Sequence, residues 1–143
     1  MPFVFDTNVA IQAVRSRGGK DQFNSFIRGN RGQVWLHATV WFELQVGARR
    51  EDEQEALDSF VEPFVETGRV LVPSQDAWRH AARVLARLAE EHGVDVRRSS
   101  IHHDALIAAS SRERSFTIIT NNVADFELIA PYLSKLTFAR PYP

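Results

Sequence analysis

The sequence predicts an α/β domain in which a mainly parallel central sheet of about four or five strands is sandwiched between helices on both faces. Three observations carry this reading. Short apolar runs at residues 3–5, 34–36 and 116–119 alternate with longer segments of helical periodicity, the pattern left by strands joined through helical crossovers. No internal repeat, low-complexity tract or linker interrupts the alternation. The 143 residues, 44% hydrophobic and 24% charged, suffice for one such core and are too few for two, so residues 1–143 read as a single domain.

Phe3-Val4-Phe5 forms the first strand and ends at Asp6, after which Val9, Ile11 and Val14 give residues 7–15 a helical stripe. Gly18-Gly19 is expected to break that helix, with a second helix from about Asp21 to Ile27 and a turn at Gly29, Asn30 and Gly32. Val34–Leu36 is the next strand. Thr39 is the expected N-cap of a helix carrying Val40, Trp41, Phe42, Leu44 and Val46. A longer helix follows from about Asp52 to Glu66, with a kink or break expected at Pro63. Arg69–Pro73 reads as a strand. Ser74 opens the clearest helix, with Trp78, Ala81, Ala82, Leu85, Leu88 and Ala89 at helical spacing and Gly93 as its stop. A helix over His103–Arg112, a β-branched strand at Phe116–Ile119, a short helix at Val123–Ile129 and an edge strand at Leu136–Phe138 complete the order.

Composition narrows the chemistry. With no cysteine there is no disulfide framework, no thiolate nucleophile and no thiolate-bound zinc, so a metal would be held by oxygen or imidazole, which favours hard cations. No apolar stretch approaches the ~20 residues that cross a bilayer, and Met1-Pro2-Phe3-Val4-Phe5-Asp6 lacks a basic leader, so the expectation is a cytoplasmic protein without a membrane role. The 17 cations nearly balance the 18 acids, but fifteen of them are arginine, the better fork for phosphate oxygens. A GC-rich coding sequence would enrich arginine as well.

In parallel sheets ligands bind beyond the carboxyl ends of the strands, so the polar residues there matter most. Two strands run into such groups: Asp6-Thr7-Asn8 after the first, and Thr120-Asn121-Asn122, with Asp125 close behind, after the later one. Two more acids interrupt apolar helices, Glu43 between Phe42 and Leu44, and Asp104 beside Ala105-Leu106-Ile107. A buried unpartnered carboxylate is costly, and a shared cation is the economical common answer. Taken singly, each residue has a plainer reading. Asp6, Asp104 and Asp125 suit the first turn of a helix, Glu43 suits a solvent face, and Thr120 and Asn122 suit a turn.

Taken together, Asp6-Thr7-Asn8, Glu43, the Asp104-Ala-Leu-Ile-Ala-Ala-Ser110 helix and Thr120-Asn121-Asn122-Val123-Ala124-Asp125-Phe126 resemble, in motif and order over essentially the whole chain, the PIN-domain nucleases, specifically the VapC-like toxins of type II toxin–antitoxin pairs. The resemblance implies a PIN-like α/β/α sandwich and a Mg²⁺-dependent endoribonuclease, Mn²⁺ being a possible substitute. It also implies an acidic metal pocket of Asp6, Glu43, Asp104 and Asp125, supported by Asn8, Thr120 and Asn122. An RNA substrate, a cognate antitoxin and a homodimer come with it, the apolar helices at 40–65 offering a surface for the last.

Setting the four pocket acids aside leaves 17 basic against 14 acidic residues. Arg15, Arg17, Lys20, Arg28 and Arg31, with Arg97-Arg98, are candidate RNA-phosphate contacts. The row Arg79, Arg83, Arg87 lies opposite an apolar stripe and is read as a solvated face. Trp41, Phe42 and Trp78 are expected in the core. His102-His103 is expected to carry no function, because adjacent histidines on a helix point apart. Competing functions are a catalytically silent binding module, a housekeeping RNA-processing nuclease, and a phosphoryl-transfer domain with Asp6 as acceptor. The last lacks a second acid beside Asp6 and a lysine directly after Thr120.

Overall fold

A computed structural model describes all residues from Met1 to Pro143. Its elements run β1 (Phe3–Phe5), α1 (Thr7–Arg15), α2 (Arg17–Gly29), β2 (Val34–His37), α3 (Ala38–Gly47), α4 (Glu51–Glu66), β3 (Val70–Leu71), α5 (Gln75–His92), α6 (Ser99–Arg114), β4 (Thr117–Ile119), α7 (Val123–Ile129), a 3-10 turn (Ala130–Tyr132) and β5 (Thr137–Ala139). The five strands are all parallel, in the order β3-β2-β1-β4-β5. The predicted sandwich of sheet and helices is present. No helix is long and apolar enough to cross a membrane.

The strand order fixes where chemistry can sit. The chain lays β2 and β3 to one side of β1 and then returns to lay β4 and β5 on the other, so the direction of winding reverses between β1 and β4. Phe5 pairs with Ile119 at the ends of those strands, and the Asp6 N–H donates to the Ile119 carbonyl at 3.1 Å. Such a reversal opens a crevice at the carboxyl edge of a parallel sheet.

Helix ends explain several departures from the sequence reading. Gly18-Gly19 lies inside α2, and the break falls at Ser16, whose hydroxyl caps α2 by accepting the Gly19 N–H at 3.2 Å. Glycine is required at 19 because α1 and α2 touch there: a Cβ would stand 2.5 Å from the Gln12 carbonyl oxygen. Gly19→Ala should therefore lower stability by about 1–3 kcal/mol. Gly18→Ala, with open space around it, should be neutral or stabilise by up to about 1 kcal/mol. Paired thermal melts check both.

Pro63 does not break α4, which is continuous to Glu66. The carbonyl that Pro63 leaves without an N–H belongs to Ser59, which is exposed and can be hydrated. Thr67 closes the end by donating its N–H and hydroxyl to the Pro63 carbonyl at 3.3 and 2.6 Å. The strand read at Arg69–Pro73 shrinks to Val70–Leu71. Helix α5 follows its caps, with Ser74 accepting the Ala77 N–H at 3.0 Å and Gly93 left-handed at φ 61°.

Thr39 is not the N-cap of α3. His37 is, and its Nδ1 accepts both the Thr39 N–H at 3.1 Å and the Thr39 hydroxyl at 2.9 Å. Because Nδ1 accepts, the proton sits on Nε2, which donates to Ser110 of α6 at 3.2 Å, and the Ser110 hydroxyl in turn donates to the Leu106 carbonyl at 2.7 Å. His37 is fully buried, and burial, followed by the nearby His103, lowers its pKa to about 3. It is a neutral clamp between α3 and α6.

The core is continuous across the sheet, with Phe5 at its centre against Phe23, ring centroids 5.0 Å apart. Two aromatics expected there are outside it. Phe42 is 61% exposed and Trp78 is 56% exposed, while Trp41 is half-buried against the core. Helix α3 is apolar on almost every side, so periodicity could not tell which face the rest of the molecule covers.

Candidate active site

Asp6 is placed by the residue before it and the helix after it. Phe5 ends β1 fully buried, which carries the Asp6 carboxyl below the surface at 3% exposure. One oxygen accepts the Val9 N–H at 3.1 Å and so caps α1, as the plain reading expected. The other accepts the Thr120 hydroxyl from the end of β4. The cap bond and the Thr120 bond thus use the two oxygens of one group. Burial raises the Asp6 pKa; the bonds from Thr120 and Val9 oppose the rise, and the Glu43 charge adds to it.

Thr120 is fully buried and does more than hold Asp6, since its Oγ also accepts the Asn122 N–H at 2.8 Å. That bond turns the chain after β4 and leaves the Asn122 amide to donate to the Asp125 carboxylate in the first turn of α7. A chain of contacts thus runs from Asp6 through Thr120 and Asn122 to Asp125. Asn8 is outside it: its side chain is exposed and makes no hydrogen bond within the protein.

Asp104 lies in the second turn of α6, which begins at Ser99 rather than near His103. It is therefore neither a cap nor a first-turn acid. Its carboxyl is half-buried and shares a hydrogen bond with that of Asp125. Its pKa is pushed up to about 8, first by burial, then by the charges of Asp125 and Asp6, and then by the shared bond and Glu43. Those causes bring all four predicted acids together: each of Asp6, Glu43 and Asp125 acts on Asp104 through its charge.

Glu43 is not on the solvent side of α3. Its carboxylate accepts from Nδ1 of His103, with the His103 side chain 17% and the Glu43 side chain 27% exposed. His103 was dismissed from sequence because adjacent histidines point apart. They do, and that is why the pairing exists: His102 faces solvent, and His103, one step round α6 from Asp104, faces α3. The signal was the His103-Asp104 doublet, but its partner is 60 residues away.

The donor set suits a hard divalent cation. Asp6 and Asp104, both held above the usual carboxylate range, stand beside the charges of Glu43 and Asp125, an arrangement a bound cation would relieve. No three His, Asp or Glu side chains close into a cage. Mg²⁺ keeps several waters and takes few protein ligands. Among the candidate RNA contacts, Arg15, Arg17, Lys20, Arg28 and Arg31 are exposed and unpaired, whereas Arg97 is tied to Asp95 at 3.0 Å.

Residues 3–130 match the family described as PIN domain. Over 131 residues the chain is 28% identical to the tRNA(fMet)-specific endonuclease VapC of Shigella flexneri, covering 90% of this chain and 92% of that protein. It is 24% identical, with the same coverage, to ribonuclease VapC2 of Haemophilus influenzae. Among solved structures it is similar to DNA-bound VapBC from Salmonella typhimurium, with a TM-score of 0.73 at 22% identity and 98% of each chain covered. It is also similar to VapBC2 of Rickettsia felis bound to a promoter DNA fragment, with a TM-score of 0.70 at 20% identity and 98% of each chain covered.

Proposed function

This chain belongs to the PIN domain family, and from that premise we propose that it is a divalent-metal-dependent endoribonuclease acting as the toxin of a toxin–antitoxin pair. The observation that carries the reading is the gathering of Asp6, Glu43, Asp104 and Asp125 at the reversal point of the sheet, with the Asp104 pKa near 8. A site built only to bind RNA would not collect negative charge.

Asp6 and Asp104 would hold the cation directly, with Glu43 and Asp125 holding it directly or through water. Mg²⁺, or Mn²⁺ in its place, supplies when bound the positive charge that offsets the carboxylates, favours ionisation of water and neutralises the phosphodiester. The chain's own residues set the geometry. Thr120 keeps the free lone pairs of Asp6 turned to the pocket, Asn122 does the same for Asp125, and His103 restrains Glu43. Exposed Asn8 is free to meet the substrate. Arg15, Arg17, Lys20, Arg28 and Arg31 would take flanking phosphates.

Cleavage of total cellular RNA and of tRNA(fMet), the substrate named for the Shigella relative, tests the reading in Mg²⁺, Mn²⁺ and EDTA. Discrete fragments that vanish in EDTA are expected. No cleavage by folded, antitoxin-free protein would reject it in favour of a silent binding module.

The homodimer implied by the family likeness would use the exposed apolar patch of Phe42, Val46, Val72 and Trp78 rather than the whole 40–65 region. Phe42→Glu should then convert the dimer to a monomer by light scattering, and an unchanged mass would place the dimer elsewhere.

A further inference from the structure

The arginine row of α5 is solvent-exposed throughout, as its sequence suggests, but its members do not all meet the same surroundings. Arg79 is paired with Asp76 at 3.1 Å. Arg83 and Arg87 instead line a cleft of about 570 Å³, with His80 from the same helix, Arg112 from α6 and Tyr132 from the 3-10 turn. Glu91 is the single acid there, and it is already engaged: Arg87 pairs with it at 2.7 Å, and the Tyr132 hydroxyl donates to it. Arg87 also lies over the Tyr132 ring, 5.0 Å from its centroid.

Arg83 and Arg112 are left without a carboxylate partner. Arg112 is half-buried, makes no ion pair, and its Nε is sealed from solvent with no acceptor. A buried guanidinium N–H without an acceptor is rare, because desolvation removes the water that would otherwise serve it. Two guanidinium forks and a histidine lining one cleft, one fork carrying an N–H that no protein acceptor serves, call for an acceptor with several oxygens and more than one charge. Arg112 lies eight residues after Asp104, about 12 Å along α6. One anion therefore cannot touch both this cleft and the acidic pocket.

We propose that the cleft between α5, α6 and the 3-10 turn is a phosphate-binding subsite, with Arg83 and Arg112 as its forks. The phosphate belongs either to an RNA strand that continues past the acidic pocket or to a free phosphorylated ligand. The RNA source rests on the nuclease reading above; the free source does not.

Arg83→Ala, Arg112→Gln and Arg112→Lys separate these. RNA of about 20 nucleotides and a trinucleotide are titrated against each change in an Asp104→Asn background, and inorganic pyrophosphate is titrated by calorimetry against each change alone. For an RNA strand, Arg83→Ala and Arg112→Gln each weaken the long RNA about fivefold or more and lower its logarithmic salt slope by about one, leaving the trinucleotide unchanged. Arg112→Lys recovers part of the affinity. For a free ligand, pyrophosphate binding falls in the variants while long RNA is unaffected. The proposal is overturned if neither RNA nor pyrophosphate responds to either arginine, or if an oligoglutamate peptide competes as well as pyrophosphate. If Arg112→Gln fails to fold, surface-exposed Arg83→Ala decides alone. A wild-type chain that cleaves nothing yet binds pyrophosphate through Arg83 separates failure of the nuclease reading from failure of this one.

Discussion

Asp104→Asn should abolish RNA cleavage and at the same time make the metal-free protein more stable. The substitution keeps the shape of the side chain, and its amide can donate to Asp125 the bond that the protonated acid now shares. What it removes is a charge that the folded protein holds with difficulty. Loss of a group that anchors the neutralising cation should lower the cleavage rate by ~10²–10³-fold or more.

The stability gain depends on pH, with a sign fixed by the raised pKa. A carboxyl whose folded pKa is about 8, against an ordinary 3.8, favours folding while protonated and loses that advantage as pH rises toward 8. His37 acts oppositely. Its folded pKa of about 3, against an ordinary 6.5, costs stability as pH falls below 6.5. Between about pH 4 and 6.5 the slopes of Asp104 and His37 oppose each other, and above that the raised carboxyls, Asp104 with Asp6, pull stability down. The metal-free wild type should thus show a plateau in its melting temperature followed by a decline toward pH 8. The Asn variant should show a much shallower decline and should melt several degrees higher at pH 8, for a gain of ~2 kcal/mol. Mg²⁺ or Mn²⁺ should raise the wild-type midpoint at pH 8 and leave the variant nearly unmoved. Melting curves across pH, with and without metal, check all of this; a variant that cleaves RNA at full rate refutes the role.

His37→Leu should be the most damaging single change outside the pocket. It strands the Thr39 N–H at the start of α3 and removes the donor to Ser110, both in the dry interior. Together these should cost ~3 kcal/mol or more, roughly a 10 °C fall in midpoint. His37→Asn, which still offers a capping oxygen at the N-cap position, should recover about 1 kcal/mol of that loss. Chemical denaturation of the three proteins measures it, and equal stability of Leu and His at 37 would show the clamp to be idle.

Legibility from sequence followed the range of the interaction concerned. The strand ends at Asp6 and Thr120 were readable because an apolar run giving way to polar residues is a local pattern. Helix α5 was readable because period, N-cap and left-handed stop agree. Gly19 misled because its reason is a neighbouring helix: the same residue that breaks an isolated helix lets two helices touch. Pro63 misled because tolerance depends on whether the carbonyl of Ser59 reaches water, which no local rule contains. The four acids stand out as a set by their awkward places at strand ends and in apolar helices and are tied together by the family likeness, but the Glu43–His103 pair escapes both, since nothing local in either helix announces the other. Phe42 and Trp78 show the same limit from the apolar side, because hydrophobicity marks what wants cover and not what supplies it.

The position of β1 has a consequence in time. It is the central strand and the first made, yet the residue that fixes its Asp6 carboxylate lies 114 positions later. Until β4 has emerged from the ribosome, β1 has β2 on one edge and nothing on the other, and Asp104, Thr120 and Asp125 are all made well after β2 and β3. Closing so long a loop comes late in folding. A chain stalled before β4 therefore holds no assembled acidic pocket.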